Sequence, residues 1–231
     1  MPFRLLVFLT LGAAIAEGSL QAQEFRSEAG HFRFKVPADW RRADPNVAAQ
    51  LRADFAGKPN SILHEALMPV DMTRNGMIIA LEEKGLVTFL ATYDSIDREM
   101  QRDFRREFVR GAPGAEVGNI VLEREKNRFV VDFALREPNG ARLRGVMFVY
   151  LGKNRAVMIM CMCMENEFGR NRNTFDEVGN SFQFDPGFQF VPFNWSDNLW
   201  IIGGAIGAIA CVAIVAAVVI VVIVMMSRRR R

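Results

Sequence analysis

Residues 116–164 read EVGNIVLEREKNRFVVDFALREPNGARLRGVMFVYLGKNRAVMIMCMCM, and their hydrophobic pattern is the clearest indication of the fold. It contains four apolar runs, at 116–125, 128–137, 141–151 and 155–164. The joints between the runs consist of turn residues, namely Lys126-Asn127, Pro138-Asn139-Gly140 and Gly152-Lys153-Asn154. Strands joined by such tight turns pair with their neighbours in antiparallel order. The stretch therefore predicts a four-stranded antiparallel meander.

The last of the four runs is apolar on both faces of the predicted strand. Its methionines alternate with isoleucine and cysteine, in the order Met158, Ile159, Met160, Cys161, Met162, Cys163 and Met164. Such a strand is typical of a sheet that is covered on both sides, and methionine and cysteine fill cores readily. The alternative is a soft-metal site, because thioether and thiolate sulfurs select Cu(I). Cys161 and Cys163 lie two positions apart, near the limit for a disulfide, and none is predicted.

Upstream of the meander, hydrophobic spacing predicts a short helix and three more strands. Between Gly30 and Pro37, apolar residues alternate with polar ones, as in a half-buried strand. Apolar residues four positions apart predict a helix over 45–55. Two further strands are expected at 62–70 and 77–83.

A longer amphipathic helix is predicted from a cap at Asp94 or Ser95 to about Arg110. Its buried side is formed by Ile96, Met100, Phe104 and Phe108. Its other side carries five arginines interleaved with acidic residues, at positions 98, 102, 105, 106 and 110. A surface that binds phosphate or lipid headgroups is one interpretation of these arginines. Alternating charge at helical spacing is more typical of a solvated face.

After the meander, Thr174-Phe175-Asp176-Glu177 is a capping-box pattern that predicts the start of a short helix. Three segments, at residues 32–40, 157–164 and 174–182, together resemble the PsbP and Mog1-like superfamily. The first contains a Phe-x-x-Pro-x-x-Trp pattern, the second is a late strand with cysteine near its end, and the third closes on Ser-Phe. The resemblance spans about residues 30–184 and implies an α+β fold, an antiparallel sheet flanked by helices. It also implies an accessory, binding or assembly factor and transfers no catalytic residue.

The two ends of the chain predict a single-pass membrane protein. Residues 1–16 have a positive start, an apolar core and an Ala-x-Ala site, as a signal peptide does, with Ala22 as an alternative cleavage position. The 28 residues 199–226 carry no charge and are long enough to span a bilayer. Four arginines in 227–231 keep the C-terminus cytoplasmic. We expect an extracytoplasmic domain at 24–185, periplasmic in a Gram-negative cell, and an aromatic juxtamembrane linker at 186–198.

The distribution of charged residues along the chain argues against nucleic acid as a partner. The chain has a net charge of +3, but Arg4 and the terminal arginines lie outside the domain. Between Glu17 and Asn198 there are 24 Lys and Arg against 26 Asp and Glu. A nearly neutral domain lacks the one-sided positive field that nucleic-acid binding uses.

The sequence predicts no catalytic, cofactor-binding or metal-ligating residue, and no cofactor. The chain has two histidines, and His64-Glu65-Ala66-Leu67-Met68 lacks the second histidine of a zinc-binding helix. Glu82 and Glu83 are adjacent on a predicted strand, which directs them to opposite faces. Acid/base chemistry by residues distant in sequence is left open.

The expected function is therefore that of a non-enzymatic, membrane-anchored domain that binds or helps to assemble another envelope component. The alternatives are a ligand-binding or metal-sensing module and, third, an enzyme without a recognisable motif. Gly203 and Gly207 form a G-x-x-x-G pair in the predicted membrane helix, where small residues let two helices pack closely. A partner helix in the membrane is thus a further candidate partner.

Overall fold

The computed structural model describes residues 23–55, 60–71, 75–85, 87, 91–111, 114–136 and 140–193. The predicted signal peptide, membrane helix and arginine tail lie outside these residues, as do Gly203 and Gly207. Within the described ranges, no helix is both long enough and apolar enough to cross a membrane.

The described elements alternate between strands and a few helices. In chain order they are β1 (Gln23–Ser27), β2 (Phe32–Val36), β3 (Trp40–Arg42), α1 (Pro45–Phe55), β4 (Ser61–Pro69), β5 (Gly76–Lys84), α2 (Tyr93–Glu99), a π-helical turn (Met100–Phe104), α3 (Arg105–Gly111), β6 (Glu116–Glu123), a 3₁₀ turn (Arg124–Lys126), β7 (Arg128–Arg136), β8 (Arg142–Gly152), β9 (Arg155–Met164), α4 (Glu165–Ser181) and β10 (Gln183–Phe184). The α+β class predicted from the sequence is confirmed.

A seven-stranded antiparallel sheet has the order β3-β4-β5-β9-β8-β7-β6. Strands β6 to β9 form the predicted meander. Asn127 and Asn154 adopt positive φ angles of 50° and 57° at two of the predicted turns. Asparagine tolerates this left-handed conformation better than most residues, which explains its place there. Strands β1, β2 and β10 form a second, three-stranded sheet.

Each face of the large sheet is covered by a separate hydrophobic core. The helix-side core contains residues of α1, α2 and α3, including Leu51, Ile96 and Phe108. The α4-side core lies under α4 and the small sheet and contains Phe34, Phe175 and Phe182. Strand β9 lies between the two cores, as the apolar run at 155–164 predicts.

The long amphipathic helix differs from its prediction at its start and in its middle. Its buried face is confirmed, but the cap is Thr92, whose side chain accepts from the Ser95 backbone N–H, rather than Asp94 or Ser95. The π-helical turn at Met100–Phe104 follows from the spacing of the buried residues. Buried residues spaced four apart gradually rotate away from one face of an α-helix, which has 3.6 residues per turn. A π-helical turn contains more residues per turn, and it returns these side chains to the same face.

The helix predicted to open at Thr174 begins much earlier, which corrects that prediction. α4 follows β9 directly and runs from Glu165 to Ser181, so Thr174 lies in its interior. The buried residues Phe168, Phe175 and Val178 share one face of this helix. Packing of that face against the sheet therefore determines the extent of α4, and a cap requires the extended backbone that Thr174 lacks.

Candidate functional site

Four polar side chains form a network inside the core between the small sheet and the large sheet. Nε2 of His64 lies 2.8 Å from Oε2 of Glu82, and Nδ1 lies 2.9 Å from the hydroxyl of Ser27. Nη1 of Arg155 lies 3.0 Å from Oε1 of Glu82. Ser27 is 6% exposed and Glu82 is fully buried. We call Ser27, His64, Glu82 and Arg155 the polar network.

A bulge in β4 directs His64 into this network. The register between β4 and β5 shifts between Leu63 and Glu65, which makes His64 the extra residue. A bulge changes the direction of a side chain without ending the strand. The imidazole of His64 contacts the Phe32 ring edge-on, with the ring centroids 5.0 Å apart. This contact places His64 in the α4-side core.

Glu82 carries its negative charge inside the core. Burial alone raises the pKa of this carboxyl, but the hydrogen bond with His64 and the charge of Arg155 hold the pKa below its ordinary value of 4.5. The carboxylate therefore accepts the Nε2 proton of His64, and the other ring nitrogen, Nδ1, lies within hydrogen-bond distance of the Ser27 hydroxyl. The Ser27 oxygen in turn accepts from the backbone N–H of Gly30 at 2.9 Å.

Serine, histidine and glutamate are the groups of a nucleophilic triad, and here all three side chains are buried. A nucleophile needs room for a reacting atom about 3 Å from its oxygen. The buried Ser27 borders neither of the two recesses described below. In this arrangement the network fastens the β1–β2 hairpin to strands β4, β5 and β9.

Sequence reasoning missed this network. It considered His64 with its sequence neighbours and Glu82 with Glu83, whereas the paired members of the network are 18 to 73 positions apart in the chain. The one available signal was the presence of charged or polar residues within otherwise apolar strands.

An open recess of about 280 Å³ lies where β7 begins, β8 ends and α4 ends. Its walls come from five segments: the turn at 125–128, Tyr150 of β8, the helix end at Gly179 and Asn180, residues 182–184, and Gln189. We call it the α4 recess. It is concave, partly polar and formed by residues that are distant in sequence.

Arg128 underlies the α4 recess and is only 3% exposed. Its guanidinium donates to Oε2 of Glu123 at 2.6 Å, to the carbonyl of Gly179 at 2.7 Å and to Oδ1 of Asn180 at 2.9 Å. The Tyr150 hydroxyl also donates to the Gly179 carbonyl. That carbonyl belongs to the last turn of α4, where the helix dipole favours a cation. The N–H groups of Arg128 are therefore engaged by Glu123, Gly179 and Asn180.

Two amides in the wall are oriented by cations. Asn180 Oδ1 accepts from Arg128 at 2.9 Å and from Lys126 Nζ at 3.0 Å. Gln183 Oε1 accepts from Arg33 at 2.9 Å. Arginine and lysine have donors only, so the oxygen of each amide must face them. Among the described residues, the NH₂ groups of Asn180 and Gln183 have no hydrogen-bond partner.

Residues 185–193 form a strap across the same end of the sheet. The Lys153 N–H donates to the Phe188 carbonyl at 2.8 Å, and the Phe193 N–H donates to the Ala91 carbonyl at 2.9 Å. The Phe188 ring stacks on His31 with a centroid distance of 3.7 Å. Phe190 is 5% exposed and belongs to the helix-side core. The first part of the expected linker at 186–198 is therefore packed on the domain.

The strap and the α4 recess are neighbours. Asn127, which lines the recess, accepts a hydrogen bond from the Tyr93 hydroxyl. The Tyr93 ring contacts the Phe190 ring edge-on, with the centroids 5.5 Å apart. The recess therefore lies at the end of the domain where the chain continues toward the predicted membrane helix.

The arginines of α2 and α3 bind within the domain. Arg105 donates to the carbonyls of Val117 and Gly118, both at 2.9 Å, and so covers part of the outer edge of β6. Arg102 and Arg106 both bind the carboxylate of Asp103, at 2.7 Å and 2.9 Å. These contacts favour a structural role for this face over binding of headgroups.

A second recess of about 310 Å³ lies at the opposite end of the sheet, between β6 and the start of α4. Arg142 pairs there with Glu116 at 2.7 Å and with Glu165 at 3.2 Å. The Arg144 guanidinium lies 4.7 Å from the centre of the Phe168 ring. The charged side chains of this second recess thus mostly pair with one another.

The sulfur-rich strand β9 divides its sulfur atoms between the two cores. Met158, Met160 and Met162 pack in the helix-side core, and Cys161 and Cys163 pack in the α4-side core. Neither cysteine forms a disulfide bond within the described residues. Burial raises the pKa of the Cys161 thiol well above its ordinary value. Among the described residues, no group of three or more His, Cys, Asp or Glu side chains is placed to hold a metal ion.

No model of a protein family matches the chain, and no curated protein matches it in sequence. Solved structures do resemble it. Cyanobacterial PsbP from Synechocystis sp. PCC 6803 is 15% identical with a TM-score of 0.47, over 75% of this chain and 98% of that one. The Ran-binding protein Mog1p of Saccharomyces cerevisiae is 9% identical with a TM-score of 0.43, over 72% and 96%.

A third similar structure is LpqN of Mycobacterium tuberculosis, which is described as involved in cell envelope biogenesis. It is 12% identical with a TM-score of 0.43, over 71% of this chain and 91% of that one. The PsbP/Mog1-like resemblance predicted from the sequence is thus confirmed at modest TM-score. The likeness concerns the fold and carries no information about activity.

Proposed function

We propose that this chain is a non-enzymatic, membrane-anchored extracytoplasmic domain that binds or helps to assemble another component of the cell envelope. The α4 recess receives that component. The predicted signal peptide and the apolar segment 199–226 direct the chain to the membrane, and the arginine tail sets its orientation there.

The observation that carries the proposal is the position of the α4 recess beside the strap. Phe193 is bonded to Ala91, and the predicted membrane helix starts at Leu199. Six residue steps span at most about 20 Å. Anchoring at Leu199 would therefore hold the domain close to the membrane surface, with the recess at its membrane-proximal end.

The buried position of the polar network supports a binding role over an enzymatic one. Its serine and histidine are buried between the small sheet and the large sheet, while the open α4 recess offers amides and a lysine but no nucleophile beside a base. Concave sites with a few convergent polar groups are the usual form of ligand sites.

Crosslinking of the full chain in intact envelopes tests the proposal. We expect one crosslinked component with the unaltered protein and its loss in Gln189→Arg, which places a long cationic side chain in the recess. Gln23→Arg makes the same change at an exposed position of β1 and should keep the crosslink. The component should be identified by mass spectrometry.

The membrane part is tested separately. The full chain should stay in the pellet after an alkaline carbonate wash, and protease added outside spheroplasts should digest the domain. Release by carbonate, or protection of the domain from external protease, would contradict the proposed anchoring and orientation. An identical crosslink in the two arginine variants would contradict the role of the recess.

A further inference from the structure

The chemistry of the α4 recess narrows the class of its ligand. The oxygens of Asn180 and Gln183 are already engaged by Arg128, Lys126 and Arg33. Within the described part of the chain, the NH₂ groups of these two amides and the whole Gln189 amide have no hydrogen-bond partner. The recess therefore offers two oriented NH₂ donors and the unpaired amide of Gln189, and a ligand with several acceptor oxygens fits these groups.

The charges around the recess favour an uncharged ligand. The cations Lys126 and Arg128 are balanced by the acids Glu123 and Glu125. Arg33, which binds Gln183, is paired with Glu24 at 3.8 Å. Burial alone raises the pKa of Glu123, but the hydrogen bond from Arg128 and its charge hold this pKa below the ordinary value, so Glu123 stays ionised. An oxyanion would find donors here without a net positive field to offset its desolvation.

Glu125 supplies the complementary group. This exposed carboxylate lines the recess and accepts hydrogen bonds only. A hydroxyl can accept from an amide NH₂ and at the same time donate to such a carboxylate. The side chains of Phe182 and Phe184 add apolar surface. A volume of about 280 Å³ is small for a ligand pocket and suits a single small unit.

We infer that the α4 recess binds a neutral, hydroxyl-rich sugar unit of an envelope glycan. Amide NH₂ groups of Asn180, Gln183 and Gln189 donate to its oxygens, Glu125 accepts from its hydroxyls, and its C–H face packs on the phenylalanine side. This inference rests on the proposed function, because it is the extracytoplasmic position that brings the recess to such glycans.

Saturation-transfer NMR on the full chain tests the inference, in micelles of a detergent without a sugar headgroup. N-acetylglucosamine is the probe, and glucuronate is the charged comparison. We expect saturable transfer to the ring protons of N-acetylglucosamine and weaker binding of glucuronate. Gln189→Leu should weaken the affinity about three- to tenfold, which corresponds to the loss of one or two hydrogen bonds.

Gln23→Leu is the matched control, because it makes the same change at an exposed amide on β1. Its affinity should equal that of the unaltered protein, and the folded state of each variant is checked by circular dichroism. Absence of saturable transfer, preference for glucuronate, or an equal loss in Gln23→Leu would overturn the inference. The NMR result does not depend on anchoring, and the carbonate wash does not depend on sugar, so the two proposals fail separately.

Discussion

At the scale of single residues, Glu82 is a buried carboxylate with two charged or polar partners. It is fully buried, accepts from His64 and faces Arg155 at 3.0 Å. A buried ion pair contributes little net stability, but removal of one partner leaves an uncompensated charge. The polar network therefore specifies the position in which the β1–β2 hairpin packs on the large sheet.

Glu82→Gln should lower the free energy of unfolding at pH 7 by about 3 kcal/mol, because it leaves the charge of Arg155 unpaired in the core. The folded-state pKa of Glu82 lies below its ordinary value of 4.5. Its contribution is thus fully present above that ordinary value and is lost as the pH falls through the folded-state pKa. Urea unfolding of the two proteins at several pH values between 7 and 3 measures how the free energy of unfolding depends on Glu82.

The difference between Glu82→Gln and the unaltered protein should shrink as the pH falls, and a constant difference would contradict the ion-pair account. The double variant Glu82→Gln/Arg155→Met is the control. It should lose less stability than the sum of the two single changes, because each single change already breaks the same pair.

At the scale of elements, α4 contains two glycines with opposite surroundings. A Cβ on Gly169 would meet no atom within 4 Å. A Cβ on Gly179 would lie 2.5 Å from Cζ of Phe148, whose ring is 1% exposed and packed in the α4-side core. The absence of a side chain at Gly179 therefore lets the end of α4 approach β8.

Gly169→Ala should raise the free energy of unfolding by about 0.5–1 kcal/mol, because alanine loses less backbone entropy in a helix. Gly179→Ala should lower it by about 1–3 kcal/mol, because the added methyl overpacks the core. The two variants share one chemical change in one helix and serve as controls for each other. Shifts of the same sign in urea titrations would contradict the packing of α4 described here.

At the scale of the whole molecule, the strap closes both cores at one end. Phe190 enters the helix-side core, while Phe188 packs against the α4-side core. An antiparallel bridge between Gly152 and Gln189 joins the strap to the end of β8. The segment that leads toward the predicted anchor is therefore part of the folded domain.

A protein of residues 23–185 should be less stable than one of residues 23–193 by at least about 3 kcal/mol, since it lacks the buried Phe190 side chain. Thermal and urea unfolding of the two proteins measure the difference. Phe190→Ala in the longer protein should reproduce most of the loss, whereas Val191→Ala, at a side chain that is 79% exposed, should change little. Equal stabilities of the long and short proteins would show that the strap contributes nothing.

Local patterns in the sequence predicted much of the fold. The turns at Asn127 and Asn154 and the alternation of β9 depend on adjacent residues, so they can be recognised without a structure. The start of α4 was mispredicted at Thr174, because the capping-box signal is local while the extent of the helix is decided by contacts with the sheet. The strands β1, β3 and β10 lack a strong pattern of their own and were not predicted.

Local patterns in the sequence predict the meander, the two-faced burial of its last strand and the buried face of α2 and α3, and three segments carry the PsbP/Mog1-like resemblance. The polar network, the α4 recess and the docking of the strap depend on tertiary contacts. Ser27 and His64 are 37 positions apart, and Arg128 and Asn180 are 52 apart. Hydrophobic periodicity predicts which side of a helix or strand is buried. It does not predict which side chain from a distant part of the sequence will contact that side.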